Sequence, residues 1–410
     1  MNEYGCFSYS SNCTPTTSDL GPGYPALIYI FNLFIGLDPK GIAFAQGICI
    51  CMVAFALASH VSHYYKFGTK LFSTIFSLVL LNPLLIGWNR FIHPDLVVYL
   101  LVIIMMITLD KFRRSRDSRE LFIYSLLVSV GSLFRYEFII FSAPIIVLWI
   151  NSHFVRQPLF IKNPIPGAFY ILVVICFLGL SFWSYRNLSL GLPALRNGYF
   201  FLNSERNFAI EAWIKSWTVS QWDYSIGLYP YFSGKLDLIH PPAWATSNAI
   251  QSGLATTSSF ISSSLESLIK EKTNQINSSF GIIFSINTQR ITWLLFNPFW
   301  SGGLGDLITK PLHPSIPEVA GYILPKLYSL FGRITVYTFS IIAVFSLNLR
   351  RPFQVETILF YSMLLVFLVY VFLLLFLCQL ETRYLTAPLL ALLLISGMIL
   401  ASSKTVQNNQ

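Results

Sequence analysis

Two short segments of this 410-residue chain place Arg, Glu and Tyr side by side between long apolar runs. The first reads Ser132-Leu-Phe-Arg135-Tyr136-Glu137-Phe-Ile-Ile, and the second Cys378-Gln-Leu-Glu381-Thr-Arg383-Tyr384-Leu-Thr-Ala-Pro388. A charged side chain within a bilayer costs about 3 kcal/mol or more unless it is paired or faces a wet cavity, so these residues are functional candidates. Each Arg could simply pair with the Glu two residues away and pin a helix hairpin. Pairing does not explain why two hairpins far apart in sequence carry the same three residue types on the same side of the membrane. A phosphate group does, because a guanidinium presents a planar fork of donors to phosphate oxygens.

Other clusters are open to two readings. Phe182-Trp183-Ser-Tyr185-Arg186-Asn187 closes an apolar run. It is either an aromatic belt with a snorkelling Arg or a second phosphate contact at Arg186. Trp213, Trp217, Trp222 and Tyr224, with Asp223 among them, are either a sugar-stacking platform or ordinary core. His60 and His63 stand at i, i+3 spacing with no carboxylate nearby in sequence, which argues against zinc. Three Asn-x-Ser/Thr triplets, at Asn12, Asn187 and Asn277, are short enough to arise by chance. No phosphate-binding Walker loop, dinucleotide fingerprint or Gly-x-Ser-x-Gly elbow is present, which speaks against a nucleotide-driven pump. No motif calls for a cofactor, no residue set reads as a metal site, and whether a metal is required stays open.

The elements that must hold these residues are membrane helices. Hydrophobic residues make up 54% of the chain and charged residues 11%, against roughly 25% charged in soluble domains. Mean hydropathy is +0.61. Disordered, collagen-like, disulfide-scaffold and nucleic-acid-binding classes are excluded, despite a formal charge of +9. Apolar runs predict nine transmembrane helices near 41–62, 68–87, 94–109, 121–136, 137–151, 168–185, 322–347, 354–378 and 384–401. When these alternate across the bilayer, twelve loop cations fall on one side: Lys66, Lys70, Lys111, Arg113, Arg114, Arg116, Arg119, Arg156, Lys162, Arg350, Arg351 and Lys404. The short segments on the other side hold only Lys40, Arg90, Arg135 and Arg383, so the first side is cytoplasmic.

Both charged hairpins then lie on the outer side, as do residues 1–40. No apolar run precedes those forty residues to export them, so either the N-terminus inserts unaided or a first helix precedes Met1. The run Tyr24 to Gly36 is too short to span and reads as a helix at the outer interface, or as a buried oblique one. Cys6 and Cys13 could pair on the outer side and would be free thiols on the inner one.

The expected organisation is an outer loop and interfacial helix (1–40), an N-terminal transmembrane bundle (41–185), a mixed extracytoplasmic domain (186–320), C-terminal transmembrane helices (321–403) and a cytoplasmic tail (404–410). Within the extracytoplasmic stretch, apolar residues at helical spacing predict one amphipathic helix over 258–275.

Taken in order, Gly21-Pro-Gly-Tyr-Pro25, Phe134-Arg-Tyr-Glu137, Tyr185-Arg-Asn187 and Glu381-Thr-Arg-Tyr384 with Pro388 resemble the pattern of GT-C membrane glycosyltransferases. The bacterial members similar to protein O-mannosyltransferases and to the lipid A aminoarabinose transferase are the nearest in kind. The resemblance implies an all-α polytopic enzyme of the bacterial inner membrane, with its site on the periplasmic face. It would transfer a sugar, with inversion, from a polyprenyl-phosphate donor to an extracytoplasmic lipid, glycan or protein acceptor. An acid of the first outer loop would be the base, and Asp19 is the candidate there. Tyr24, Arg135, Tyr136, Glu137, Arg186, Glu381, Arg383 and Tyr384 would bind substrate. Family members usually carry a helix and an acid upstream of the Gly-Pro-Gly-Tyr-Pro segment, so the resemblance too implies a helix before Met1. A transporter or flippase without transferase activity, and a surface-polysaccharide polymerase or ligase, are the competing readings; no inverted repeat favours transport.

Overall fold

Apolar runs punctuated by Pro, Gly or charge become helices throughout the residues that the computed structural model describes. These are 22–35, 39–64, 73–74, 76–77, 94–155, 168–189, 213, 217–218, 242–253, 265–296, 333–345, 347, 355–376 and 385–407. The helices are α1 (Gly23–Ile35), α2 (Pro39–Tyr64), α3 (Asp95–Ser115), α4 (Ser118–Phe134), α5 (Ala143–Val155), α6 (Ala168–Ser189), α7 (Ala243–Gln251), α8 (Leu265–Phe296), α9 (Arg333–Phe345), α10 (Val355–Phe376) and α11 (Thr386–Gln407). A 3-10 turn, Tyr136–Ser142, joins α4 to α5. Helices stand at every expected transmembrane position except 68–87, most of which lies outside the described residues. Three are long and apolar enough to cross a membrane, Lys40–Tyr64, Phe169–Arg186 and Val355–Leu374. Those at Gly23–Phe34, Tyr136–Ser152, Arg333–Phe345 and Thr386–Leu400 are apolar but shorter.

Local sequence accounts for the joints. In α3 the acid Asp95 sits in the first turn and Arg113 and Arg114 in the last, which suits the helix dipole at both ends. The helix stops at Arg116, which adopts the left-handed conformation (φ 55°) and returns its N–H to the Phe112 carbonyl. Asp117 then caps α4 by accepting the Arg119 N–H at 3.0 Å, so a two-residue joint makes α3 and α4 an antiparallel pair. At its far end α4 is broken by Arg135, whose backbone is extended (φ −147°, ψ 124°).

A core of α2, α3, α4, α10 and α11 buries Tyr99, Met105, Phe112, Tyr124, Phe138 and Phe360. The helices α4 and α6 approach most closely, through small residues. The Gly179 N–H donates to Ser129 Oγ at 2.8 Å, and a Cβ at position 179 would lie 2.3 Å from the Ser129 carbonyl oxygen. Facing outward instead are Phe44, Met52 and Phe55 of α2 and Val174, Phe182 and Tyr185 of α6, the reverse of a water-soluble surface.

The interfacial-helix expectation corresponds to α1, whose first turn is tucked into the bundle while its far end is open. Tyr24 is buried and its hydroxyl accepts the Gln46 amide at 2.8 Å, whereas Leu33 and Phe34 are exposed. Between 186 and 320 the described residues beyond α6 are helical, with no strand among them, so the mixed domain expected there is helical as far as it is described. The helix expected at 258–275 begins at Leu265 and runs to Phe296 as α8, passing a break at Ser279 (φ −138°, ψ 22°). Cys6 and Cys13 lie outside the described residues.

Candidate functional site

The extended backbone at Arg135 does two things at once. It ends α4 with the Arg135 N–H still bonded to the Gly131 carbonyl at 2.9 Å, and it starts the 3-10 turn through the Phe138 N–H to Arg135 carbonyl bond at 3.0 Å. Gly131 permits the turn, since a Cβ there would meet the Phe138 ring at 2.0 Å. The hydroxyl of Tyr124 holds the other end of the turn by donating to the Phe141 carbonyl at 2.7 Å. The chain is thereby fixed on both sides of Arg135, and the guanidinium is aimed by the backbone.

That guanidinium stands between two carboxylates from different elements. Its Nη2 pairs with Asp95 Oδ1 at the start of α3, and its Nη1 donates to Glu137 Oε1 at 2.9 Å. Asp95 is nearly sealed, with 2% of its side chain exposed, whereas Arg135 is 11% and Glu137 26% exposed. The cluster therefore grades from a dry carboxylate through the Arg to an accessible carboxylate. The Tyr370 hydroxyl of α10 donates to the Glu137 carbonyl at 3.1 Å, and Tyr136 beside it is half-buried. Gly23 of α1 lies against the Phe134 ring, which brings Tyr24 and the first turn of α1 to the same end of α4.

Asp95 was not among the residues that the sequence marked, because a Pro-Asp pair at the start of an apolar run reads as a helix-start signal. Its position forty residues from Arg135 gave no hint of pairing. Arg186 stacks over the Trp183 ring, 4.7 Å from its centre. That is the arrangement expected of an aromatic-belt Arg, and it falls past the α4–α6 crossing on the same end as Arg135. Asp19, Glu381, Arg383 and Tyr384 lie outside the described residues, as do Trp222, Asp223 and Tyr224. Of the proposed stacking platform, Trp213 is fully buried, its indole N–H donating to the Ala245 carbonyl at 3.0 Å and its ring edge-on to Trp217, so it is core.

The opposite end of the bundle holds a second charged cluster that corrects the reading of His60. Its Nε2 lies 2.9 Å from Asp110 Oδ2, so a carboxylate does stand beside it, on another helix. Arg113 Nη2 and Arg114 Nε also reach Asp110, at 2.7 and 3.1 Å. Arg113 and Arg116 extend further to Glu356 at the start of α10. One acid shared by three cationic or ionisable groups is a helix clamp, and among the described residues no group of His, Cys, Asp or Glu could hold a metal ion.

A helical membrane protein with an Arg clamped between two carboxylates at one end of its bundle is what the described residues define. Residues 19–183 match the model of the dolichyl-phosphate-mannose-protein mannosyltransferase family, a GT-C glycosyltransferase family, and the first two of the four motifs, Gly21–Pro25 and Phe134–Glu137, fall inside the match. The matched part contains α1 through most of α6, and with them Asp19, Tyr24, Asp95, Arg135, Tyr136 and Glu137. No curated protein and no solved structure matches the chain.

Proposed function

We propose that the chain transfers a sugar from a polyprenyl-phosphate carrier to an acceptor on the extracytoplasmic face, with inversion. The observation that carries this reading is the Asp95–Arg135–Glu137 cluster, placed within the segment that matches a family named for transfer from a lipid-linked phosphate. An acceptor oxygen attacks the anomeric carbon, the bond from that carbon to the phosphate oxygen breaks, and the carrier phosphate leaves with the electron pair. The acceptor proton passes to a carboxylate of the first outer loop, for which Asp19 is the candidate. Arg135 meets the charge that builds on the leaving phosphate. Asp95 acts on the reaction through Arg135, as a positioning residue, because it fixes one edge of the guanidinium and leaves Glu137 as the exchangeable partner. Arg186 and Arg383 are further phosphate contacts in this reading, and Glu381, Tyr384, Tyr24 and Tyr136 line the same outer site. The outer face follows from the loop-cation asymmetry, and the bacterial inner membrane from the resemblance.

The experiment uses membranes containing the full chain, a polyprenyl-phosphate sugar labelled in the sugar, and outer-face extract as acceptor. Transfer is expected, and it should fall by at least tenfold in Arg135→Ala and in Arg383→Ala. Full transfer by both variants would reduce these residues to hairpin pins. Lipid movement across the bilayer without transfer would assign the chain to transport instead.

A further inference from the structure

The break at Ser279 divides α8 into two segments, and the second has an inverted surface. Arg290, the one charged residue of that segment, is 4% exposed, and its Nε donates to the Thr218 carbonyl at 2.6 Å. Burial draws the Arg290 guanidinium down to about 10 from its usual range. Phe280 and Phe284, by contrast, are 64% and 67% exposed, and Ile291 is exposed as well. At i, i+4 and i+11 these three share one helical face, while Ser285, Gln289 and Thr292 share another turned well away from it. A segment that keeps its Arg inside and two Phe rings outside is not finished for water.

Position on the bundle identifies what covers that face. The Leu295 carbonyl, one turn beyond Ile291, accepts the Tyr337 hydroxyl at 2.8 Å. Tyr337 belongs to the apolar helix α9 and stands edge-on to Phe367, inside the Val355–Leu374 span. The C-terminal end of α8 is thus joined to helices whose own outward residues, Ile334, Ile341 and Phe345 among them, form the apolar outer wall of the bundle. Leu295 follows Ile291 by four residues on the same helical face, so the exposed face of α8 leads to that wall at its C-terminal end.

We propose that the second segment of α8 lies along the outer leaflet, with Phe280, Phe284 and Ile291 set into the boundary between lipid headgroups and acyl chains. The polar Ser285, Gln289 and Thr292 face the aqueous side, and the break at Ser279 turns the chain from the membrane surface back into the extracytoplasmic part. The occupant of the face is bulk phospholipid and not a protein partner.

A photoreactive benzoyl-phenylalanine placed singly at Phe280, Phe284, Ser285 or Gln289 in the full chain, in bilayers of deuterium-labelled phosphatidylcholine, tests this by mass spectrometry after illumination. The two Phe positions should give phospholipid adducts at least fivefold above the Ser285 and Gln289 positions. Equal, low lipid adducts at all four would place the face in water and overturn the proposal. Crosslinks from 280 and 284 to protein in place of lipid would overturn it in favour of a protein partner. The readout does not depend on sugar transfer, so it stands or falls apart from the function proposed above.

Discussion

The two charged ends of the bundle use similar residues to different effect. At the Asp110 end one carboxylate is saturated by His60, Arg113 and Arg114, all on unbroken helices, and Glu356 joins α10 to the same cluster. At the Asp95 end the ratio is inverted: one Arg is divided between two carboxylates, the backbone is opened to aim it, and one of the two acids is accessible. An excess of cations around one buried acid resists change, because any movement strands a charge. An Arg with one sealed and one exchangeable partner can give up the second to an incoming anion. The difference separates a clamp from a site.

Asp110→Asn should have the largest effect. It takes from the sealed Arg113 the carboxylate it meets at 2.7 Å, with Glu356 farther off at 3.8 Å, so stability should fall by about 3–5 kcal/mol, read by thermal unfolding in detergent. Transfer per folded molecule should be unchanged, and a stable variant that has lost transfer would move the chemistry to this end. Next comes Gly179→Ala, whose added methyl meets the Ser129 carbonyl oxygen 2.3 Å away. Separating α4 from α6 should cost about 1–3 kcal/mol of stability and lower transfer as well, since the crossing at Ser129 lies within two turns of Arg135.

Arg135→Lys keeps the charge and loses the fork. Transfer should drop about tenfold, equivalent to about 1.4 kcal/mol of barrier, with the unfolding temperature little altered. A loss of stability with unchanged transfer would make the Asp95 end a second clamp. The smallest effect belongs to a buried acid at neither end. Glu271 of α8 accepts the Gln275 amide and has Lys272 Nζ at 3.4 Å, yet burial raises its carboxyl above the ordinary glutamate range. The folded state therefore holds this proton more tightly than the unfolded one, and stability is lost as pH rises from the ordinary glutamate value toward the raised one. Glu271→Gln should abolish that dependence, measured as unfolding temperature against pH.

Hydropathy made the helices legible, since an apolar run long enough to cross lipid has few other fates. The joint at Arg135 was legible too, because Arg and Glu two residues apart between apolar segments leave few alternatives to a turn. What escaped were partners distant in sequence. Asp95 meets Arg135 across two antiparallel helices, and His60 meets Asp110 fifty residues on, so neither pair leaves a local pattern. The extent of α8 escaped for another reason: its Asn-, Ser- and Gly-rich middle resembles a loop, and the break at Ser279 is real, but the helix resumes after it. Trp213 stayed open between two readings because an indole buried in a core and one that stacks on sugar are identical in sequence, and its burial decides for core.

The helix α10 touches both ends, through Glu356 with Arg113 and Arg116, and through the Tyr370 hydroxyl with the carbonyl of Glu137, 233 residues earlier in the chain. During synthesis the α3–α4 hairpin must therefore enter the bilayer long before its last partner exists. Asp95 and Arg135 can neutralise each other at once, which makes that early insertion affordable. The turn bearing Glu137 is held by α10 only once the chain has been threaded in as far as Tyr370. Order of manufacture thus follows order of need: charge is masked first, and the accessible carboxylate is set in place last.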